Sequence, residues 1–286
     1  MKRLSTEESI EFWKKRSKYA KDPLSKVMWP DRPIWNAYID ELQKHYLRPY
    51  IYKLRPSDIV LDVGCGVGRF TFRFAKLCKK VYGIDISEEN IKLAKERAER
   101  EKVFNVEFKV MDVRKLEFDD EIFDYVFSIA CLCFLIDKKD FIKGIKEVLR
   151  VTKKDGCIIL LENMIFAPNY VSIPREEWFR IIEKHGGKIK YWCGVDVPIL
   201  RRIIVELPFG LLCHFVTRRN WKVDGNIFEK DRKILELYMK EKEINNKIEN
   251  ITMKILTNII KPFEYTIPKF LKNQSIYTLI EIFKQT

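Results

Sequence analysis

Between residues 59 and 195 the chain alternates short apolar runs with longer stretches whose apolar positions recur at helical spacing. Strands buried on both faces read as nearly continuous apolar runs, and helices that cover them carry one apolar stripe. The pattern predicts helices over 70–79, 88–101 and 138–151, the second capped by Ser87 with Glu88, Glu89 and Asn90 behind it. A further helix over 174–184 ends at His185-Gly186-Gly187, where the histidine reads as a C-terminal cap, and 188–193 reads as a strand. Strand and helix in alternation predict an α/β fold built on a doubly wound sheet.

The flanks follow different patterns. Residues 1–55 read as a helical extension: one helix over 7–19, a break at Asp22-Pro23, a loop holding Pro30 and Pro33, then a helix over 35–53 interrupted near Pro49. Trp13, Trp29 and Trp35 crowd this extension, as anchors that either staple it to the core or close with it over a substrate. Residues 56–196 form the core. Residues 197–272 read as a helical insertion: an apolar run at 203–217 bracketed by Arg201, Arg202, Arg218 and Arg219 and kinked at Pro208 and Gly210, then a long helix over 227–260. Strict alternation over 277–283 predicts a last strand, within a closing segment 273–286.

The most specific chemistry lies where the first core strand ends. Val60-Leu61-Asp62-Val63 is followed by Gly64-Cys65-Gly66-Val67-Gly68-Arg69 and then a helical stretch. Strand, glycine turn and helix make a nucleotide-sized crevice at the carboxyl edge of a parallel sheet. A dinucleotide fingerprint needs a third glycine at the helix start, and Arg69 stands there instead, which disfavours a nicotinamide dehydrogenase. The acid ending the next apolar run, Asp85, lies about 20 residues past the first glycine, where a carboxylate accepts both ribose hydroxyls.

With these residues in place the chain resembles the class I S-adenosylmethionine-dependent methyltransferases, of the small-molecule type. Their first motif, two apolar residues, an acid, any residue and then three alternate glycines, stands unbroken at 60–68. The likeness runs on in order through Val81-Tyr82-Gly83-Ile84-Asp85-Ile86-Ser87, the strand before Asp112-Val113, Phe123-Asp124-Tyr125-Val126-Phe127-Ser128 and Gly156-Cys157-Ile158-Ile159-Leu160-Leu161. It implies a seven-stranded Rossmann-like sheet whose last strand is antiparallel, with S-adenosylmethionine as the cofactor. It also implies that Gly64, Cys65, Gly66 and Gly68 form the cofactor turn and that Asp85 holds the ribose. Asp112, the Val113 amide and Ile86 would hold the adenine. Asp62 and carbonyls near Gly64 and Ser128 would hold the methionine ammonium, with Arg69 on its carboxylate or else exposed on the helix. Many relatives carry Asn and two His after the fourth strand. Here Ser128-Ile129-Ala130-Cys131-Leu132-Cys133-Phe134 is apolar or thiol, which implies an apolar pocket wall without that histidine base.

A general base is needed only where the acceptor holds its proton tightly. His45 and His214, in segments expected to flank the acceptor, and Glu162, after the fifth strand, are the candidates. Seven cysteines without a C-x-x-C pair or a Cys/His cluster exclude a zinc framework and read as reduced core thiols. Residues 1–17 are charged and lack the apolar centre of a secretory signal, so the expectation is a cytoplasmic protein. The net charge of +13 favours polyanions, and the arginine-bracketed run at 203–217 suits either an internal lid or an anionic membrane surface. The expected activity is methyl transfer to nitrogen or oxygen of a small or lipid-like acceptor. A protein or RNA methyltransferase is the second reading, though no RNA-binding module is evident. A non-catalytic cofactor-binding regulatory subunit is the third.

Overall fold

The computed structural model describes residues 5–19, 33–163, 173–195 and 277–284. Helices α1 (Thr6–Tyr19) and α2 (Pro33–Ile51) precede β1 (Ile59–Val63), α3 (Thr71–Phe74), β2 (Lys80–Asp85), α4 (Glu88–Arg100), β3 (Val106–Val110) and β4 (Phe123–Ile129). After a 3-10 turn at Leu132–Phe134 come α5 (Lys138–Val151), β5 (Thr152–Asn163), α6 (Arg175–Lys184), β6 (Gly187–Val195) and β7 (Tyr277–Lys284).

One seven-stranded sheet runs in the order β3-β2-β1-β4-β5-β7-β6. The strands β3, β2, β1, β4 and β5 are parallel, and β7 inserts antiparallel between β5 and β6. The expected antiparallel last strand is therefore present. The chain winds outward from β1 to β3, then returns to lay β4 on the other side of β1. That reversal opens a crevice at the carboxyl ends of β1 and β4.

Period-two alternation divides the core between the two faces. Leu61, Val63, Ile84, Val126, Ile158 and Ile280 point to one face and pack with Phe141, Ile145 and Val148 of α5 and Trp178, Ile181 and Ile182 of α6. Val60, Val81, Phe127, Ile159, Leu161 and Leu279 point to the other and pack with Ile39, Leu42 and Leu47 of α2. In α5 the buried positions 141, 144, 145, 148 and 149 form a single stripe, the spacing that made this helix legible.

Two boundaries differ from the expectation. The helix expected over 70–79 stops at Phe74, because the Asn105 side-chain amide donates to the carbonyls of Ala75 (2.7 Å) and Cys78 (3.1 Å) and fixes them in a turn. Conversely, α2 runs through Pro49. Proline lacks one donor near the end of this helix, and just past the helix Tyr52 N–H still reaches the Arg48 carbonyl at 3.1 Å. The Ser87 cap is as expected: its Oγ accepts from Asn90 N–H at 3.3 Å. The insertion expected at 197–272, with its apolar run, paired arginines, long helix and His214, lies outside the described residues, as does Trp29.

Helix α1 lies across the carboxyl edge of the sheet and is pinned along its length. Thr6 N–H donates to Asp137 Oδ2 and Asp137 N–H returns a bond to Thr6 Oγ1, both 2.9 Å. Glu7 accepts from Arg114 Nη1 at 2.6 Å, and the Ser17 and Ser87 hydroxyls meet at 2.6 Å. Between these ties the Trp13 ring stands edge-on to Phe134, centroids 4.8 Å apart.

Candidate functional site

A cavity of about 210 Å³ opens between α1 and the carboxyl ends of β1 to β4. Its floor is the glycine turn. Gly64, Gly66 and Gly68 have φ of +69°, +56° and +79°, a region costly for residues with a Cβ. Space also matters at Gly64, where an added Cβ would come within 2.5 Å of Cys131 Cβ and Sγ.

Three carboxylates reach the cavity because three parallel strands end at the same edge: Asp62 in β1, Asp85 closing β2 and Asp112 just past β3. Asp62 is buried and accepts from Thr71 Oγ1 at 2.6 Å. Burial pushes its carboxyl up to about 7, against the pull of the Thr71 hydroxyl and the Arg69 charge. Asp85 is shared between the two loops that flank it. Its Oδ2 accepts from Gly66 N–H (2.9 Å), and its Oδ1 accepts from Ser87 N–H (2.9 Å) and Asn90 Nδ2 (3.4 Å). Burial raises its pKa, and the Ser87 and Gly66 amides oppose the rise. Asp112 is gripped by Arg114, whose Nε and Nη2 donate to Asp112 Oδ2 at 2.9 and 2.6 Å. The same guanidinium bonds Glu7 of α1 and, at 3.1 Å, Asp140 of α5.

Arg69 lines the cavity but is held from α2: Nη1 donates to Asp40 and Nη2 to Gln43 Oε1, both at 2.5 Å. Lys44 also pairs with Asp40. Burial pushes Asp40 up, yet Arg69 and Lys44 outweigh it and hold the carboxyl below its usual range. Lys44 also bonds Glu41 Oε1 at 2.6 Å, so two cations and two carboxylates meet here.

Of the remaining expected residues, Cys65, Ile86 and Val113 line the cavity, whereas Gly68 and Ser128 stand behind its lining. Of the base candidates among the described residues, neither His45 nor Glu162 lines the cavity. His45 sits on α2 against Tyr46, ring centroids 5.5 Å apart, and His214 lies outside the described residues. Glu162 is fully buried behind the turn that follows β4. There it accepts from Ser128 Oγ (2.6 Å) and from the backbone N–H groups of Cys131 (3.0 Å), Leu132 (3.2 Å) and Cys133 (3.2 Å). Burial pushes its carboxyl up to about 7, while these donors favour the charged form. The turn it holds contains Ala130 at φ +52°, a strained conformation for alanine. Cys65, Cys131 and Cys133 share the cavity, and burial raises each thiol well above its ordinary range. They are therefore neutral and poor nucleophiles.

The structure adds residues that the sequence did not assign. Ser9 and Trp13 of α1, Gln43 of α2 and Asn90 of α4 line the cavity. Ser9 Oγ, Trp13 Nε1 and Asn90 Oδ1 are buried with no hydrogen-bond partner among the described residues. Because Asn90 Nδ2 faces Asp85, its Oδ1 turns away as an acceptor beside the carboxylate. The N-cap at Ser87 was a legible signal for Asn90. On α1 the aromatic anchor Trp13 was a legible signal, and no local pattern singles out Ser9.

These features define the class. A 3-2-1-4-5-7-6 sheet with an alternate-glycine turn and acids in or just after β1, β2 and β3 is the arrangement of the class I S-adenosylmethionine-dependent methyltransferase fold. Residues 60–156 match the family model described as a methyltransferase domain. It is 36% identical over 159 residues to ajmaline N-methyltransferase of Rauvolfia serpentina, covering 52% of each chain. It is 38% identical over 112 residues to erythromycin 3''-O-methyltransferase of Saccharopolyspora erythraea, covering 38% of this chain and 35% of that one. The chain thus matches about half or less of these relatives' length. Among solved structures the cyclase SpnF superposes with a TM-score of 0.55 at 18% identity, over 88% of this chain and 83% of that one, a likeness of fold.

The donor set fits the cofactor. Asp85 and Asn90 offer acceptors for ribose hydroxyls, Asp112 and Val113 an edge for adenine, and Asp62 a carboxylate for the ammonium. A pH dependence follows from Asp62. Its carboxyl must be ionised to hold the ammonium, and in the free protein it titrates at about 7. Below that pH binding must first expel a proton. Affinity for S-adenosylhomocysteine is therefore expected to fall about tenfold per pH unit below 7 and to level off above it. The raised Asp85 acts in the same direction. Calorimetry across pH 5.5–8.5, an interval of about three units around that pKa, checks this, with Asp62→Asn as the variant whose profile is flatter.

Proposed function

We propose that the chain is an S-adenosylmethionine-dependent methyltransferase that methylates nitrogen or oxygen of a small, largely apolar acceptor. One observation carries the reading: the cavity runs without a break from the acidic cofactor floor to an apolar wall made by Ile10, Trp13, Ile39, Phe70 and Phe134. The bound cofactor supplies a methyl group activated on a sulfonium. The chain supplies position and exclusion of water. Asp62, Asp85 and Asp112 fix the cofactor end, the Ala130 turn held by Glu162 shapes the acceptor wall, and α1 covers both as a lid.

Among the described lining residues there is no His, Lys or Tyr. This supports an acceptor that is nucleophilic without a strong base, such as a neutral amine. The N- and O-methyltransferases among the relatives support a small-molecule acceptor. The experiment is incubation with methyl-labelled S-adenosylmethionine and a fractionated cell extract. Label is expected in the small-molecule and lipid fractions. Label in RNA or protein would move the assignment to the second reading. No transfer, despite tight binding of the cofactor product, would make the chain a cofactor-binding subunit.

A further inference from the structure

The sheet edge offers a cofactor mostly acceptors. Asp62, Asp85 and Asp112 are carboxylates, and Asn90, also in the lining, has an Oδ1 without a partner among the described residues. These suit the ammonium, the ribose hydroxyls and the adenine amine, all of them donors. The remaining polar group of S-adenosylmethionine is the carboxylate of its amino-acid arm, which needs donors. From the sheet side the cationic donor in the lining is Arg69, whose guanidinium is already bonded to Asp40 and Gln43.

Donors come from the opposite wall. Ser9 and Trp13 stand four residues apart on α1 and so project from one face of the helix. Both line the cavity. Ser9 is fully buried, and its Oγ–H and the Trp13 Nε1–H have no acceptor among the described residues. A buried donor left unpaired costs about 1–3 kcal/mol, so two on one helix face that lines one cavity call for an acceptor there. Arg16, one turn further along α1, lines the same cavity and adds positive charge to this wall.

We infer that Ser9 and Trp13 bind the carboxylate of the cofactor's amino-acid arm, so that the lid helix is part of the cofactor site rather than a cover laid over it. The inference rests on the cofactor reading above. It explains why α1 is tied to the loops that carry the other cofactor contacts: Ser17 bonds Ser87 beside Asp85, and Glu7 bonds Arg114, which grips Asp112. With contacts from both walls, the cofactor's arm would join the lid to the sheet.

The test is calorimetric titration of the full chain and of the Trp13→Phe and Ser9→Ala variants with two ligands. S-adenosylhomocysteine carries the amino-acid arm. 5'-methylthioadenosine has the same nucleoside and sulfur without it. Trp13→Phe keeps an aromatic ring beside Phe134 while removing the N–H together with part of the indole's bulk. Each variant is expected to bind S-adenosylhomocysteine about tenfold more weakly, the loss of one hydrogen bond to a charged group, with 5'-methylthioadenosine affinity kept within about twofold. Unchanged affinity for both ligands, or equal losses for both, would overturn the inference; equal losses would reduce α1 to a packing cover. Thermal melts show that the variants are folded. A wild-type chain that binds neither ligand would overturn the cofactor reading itself, which separates the two failures.

Discussion

Asp85→Asn is expected to weaken S-adenosylhomocysteine binding about 100-fold, as severely as Asp85→Ala. The reason lies in the two oxygens. Oδ2 accepts from the Gly66 amide and Oδ1 from the Ser87 amide. An asparagine placed there must turn its NH2 against one or the other, whichever way the side-chain amide is rotated. The change removes the charge that two ribose hydroxyls would share and also sets a donor against a backbone donor. Two hydrogen bonds to a charged group, at about 1.5 kcal/mol each, amount to about 3 kcal/mol or 100-fold. Loss of the Gly66 contact further loosens the glycine turn proposed to carry the cofactor. Calorimetric titration checks the prediction. Affinity within about threefold of wild type in the asparagine variant would show that Asp85 does not hold the ribose.

The second large effect is on stability. Glu162→Ala is expected to destabilise the fold by about 4 kcal/mol and Glu162→Gln by about 2 kcal/mol, because the Cys131, Leu132 and Cys133 amides would lose a buried acceptor. For a chain of this size the alanine variant's melting temperature should fall by on the order of 10 °C. In the glutamine variant the NH2 faces at least one of those amides in either orientation, so the isosteric change does not restore the wild type. This outcome separates a positioning residue from a general base. A base would lose turnover on change to glutamine with its melting temperature intact. Here the melting temperature should fall, and turnover only as far as the strained Ala130 turn shifts.

Most of the sheet could be read from the chain. Buried strands are written as apolar runs, and parallel topology then brings their terminal acids to one edge; Asp85 followed from that spacing, while Asp62 and Asp112 were assigned through the family resemblance. The helix limits were less legible where side chains from elsewhere set them. Asn105 stops the helix after Phe74, and nothing within 70–79 announces it. On the site's other wall Trp13 was legible as an aromatic anchor, but the docking of α1 was hidden for the same reason. Thr6 and Asp137 are 131 residues apart and Ser17 and Ser87 are 70 apart, and no local period encodes such pairings. Arg69 stood at the right position for a carboxylate partner, but its bonds to Asp40 and Gln43 depend on how α2 docks. Glu162 had a legible sign, an acid closing an apolar strand; whether such an acid faces a cavity or a turn is decided by packing.

The central claim is that this edge of the sheet binds S-adenosylmethionine. Calorimetric titration of the wild-type chain with S-adenosylhomocysteine, with NAD as the control, tests it most directly. The account predicts micromolar binding of the first, with affinity rising toward pH 7, and no heat from the second. Binding of NAD, or of neither ligand, would contradict it.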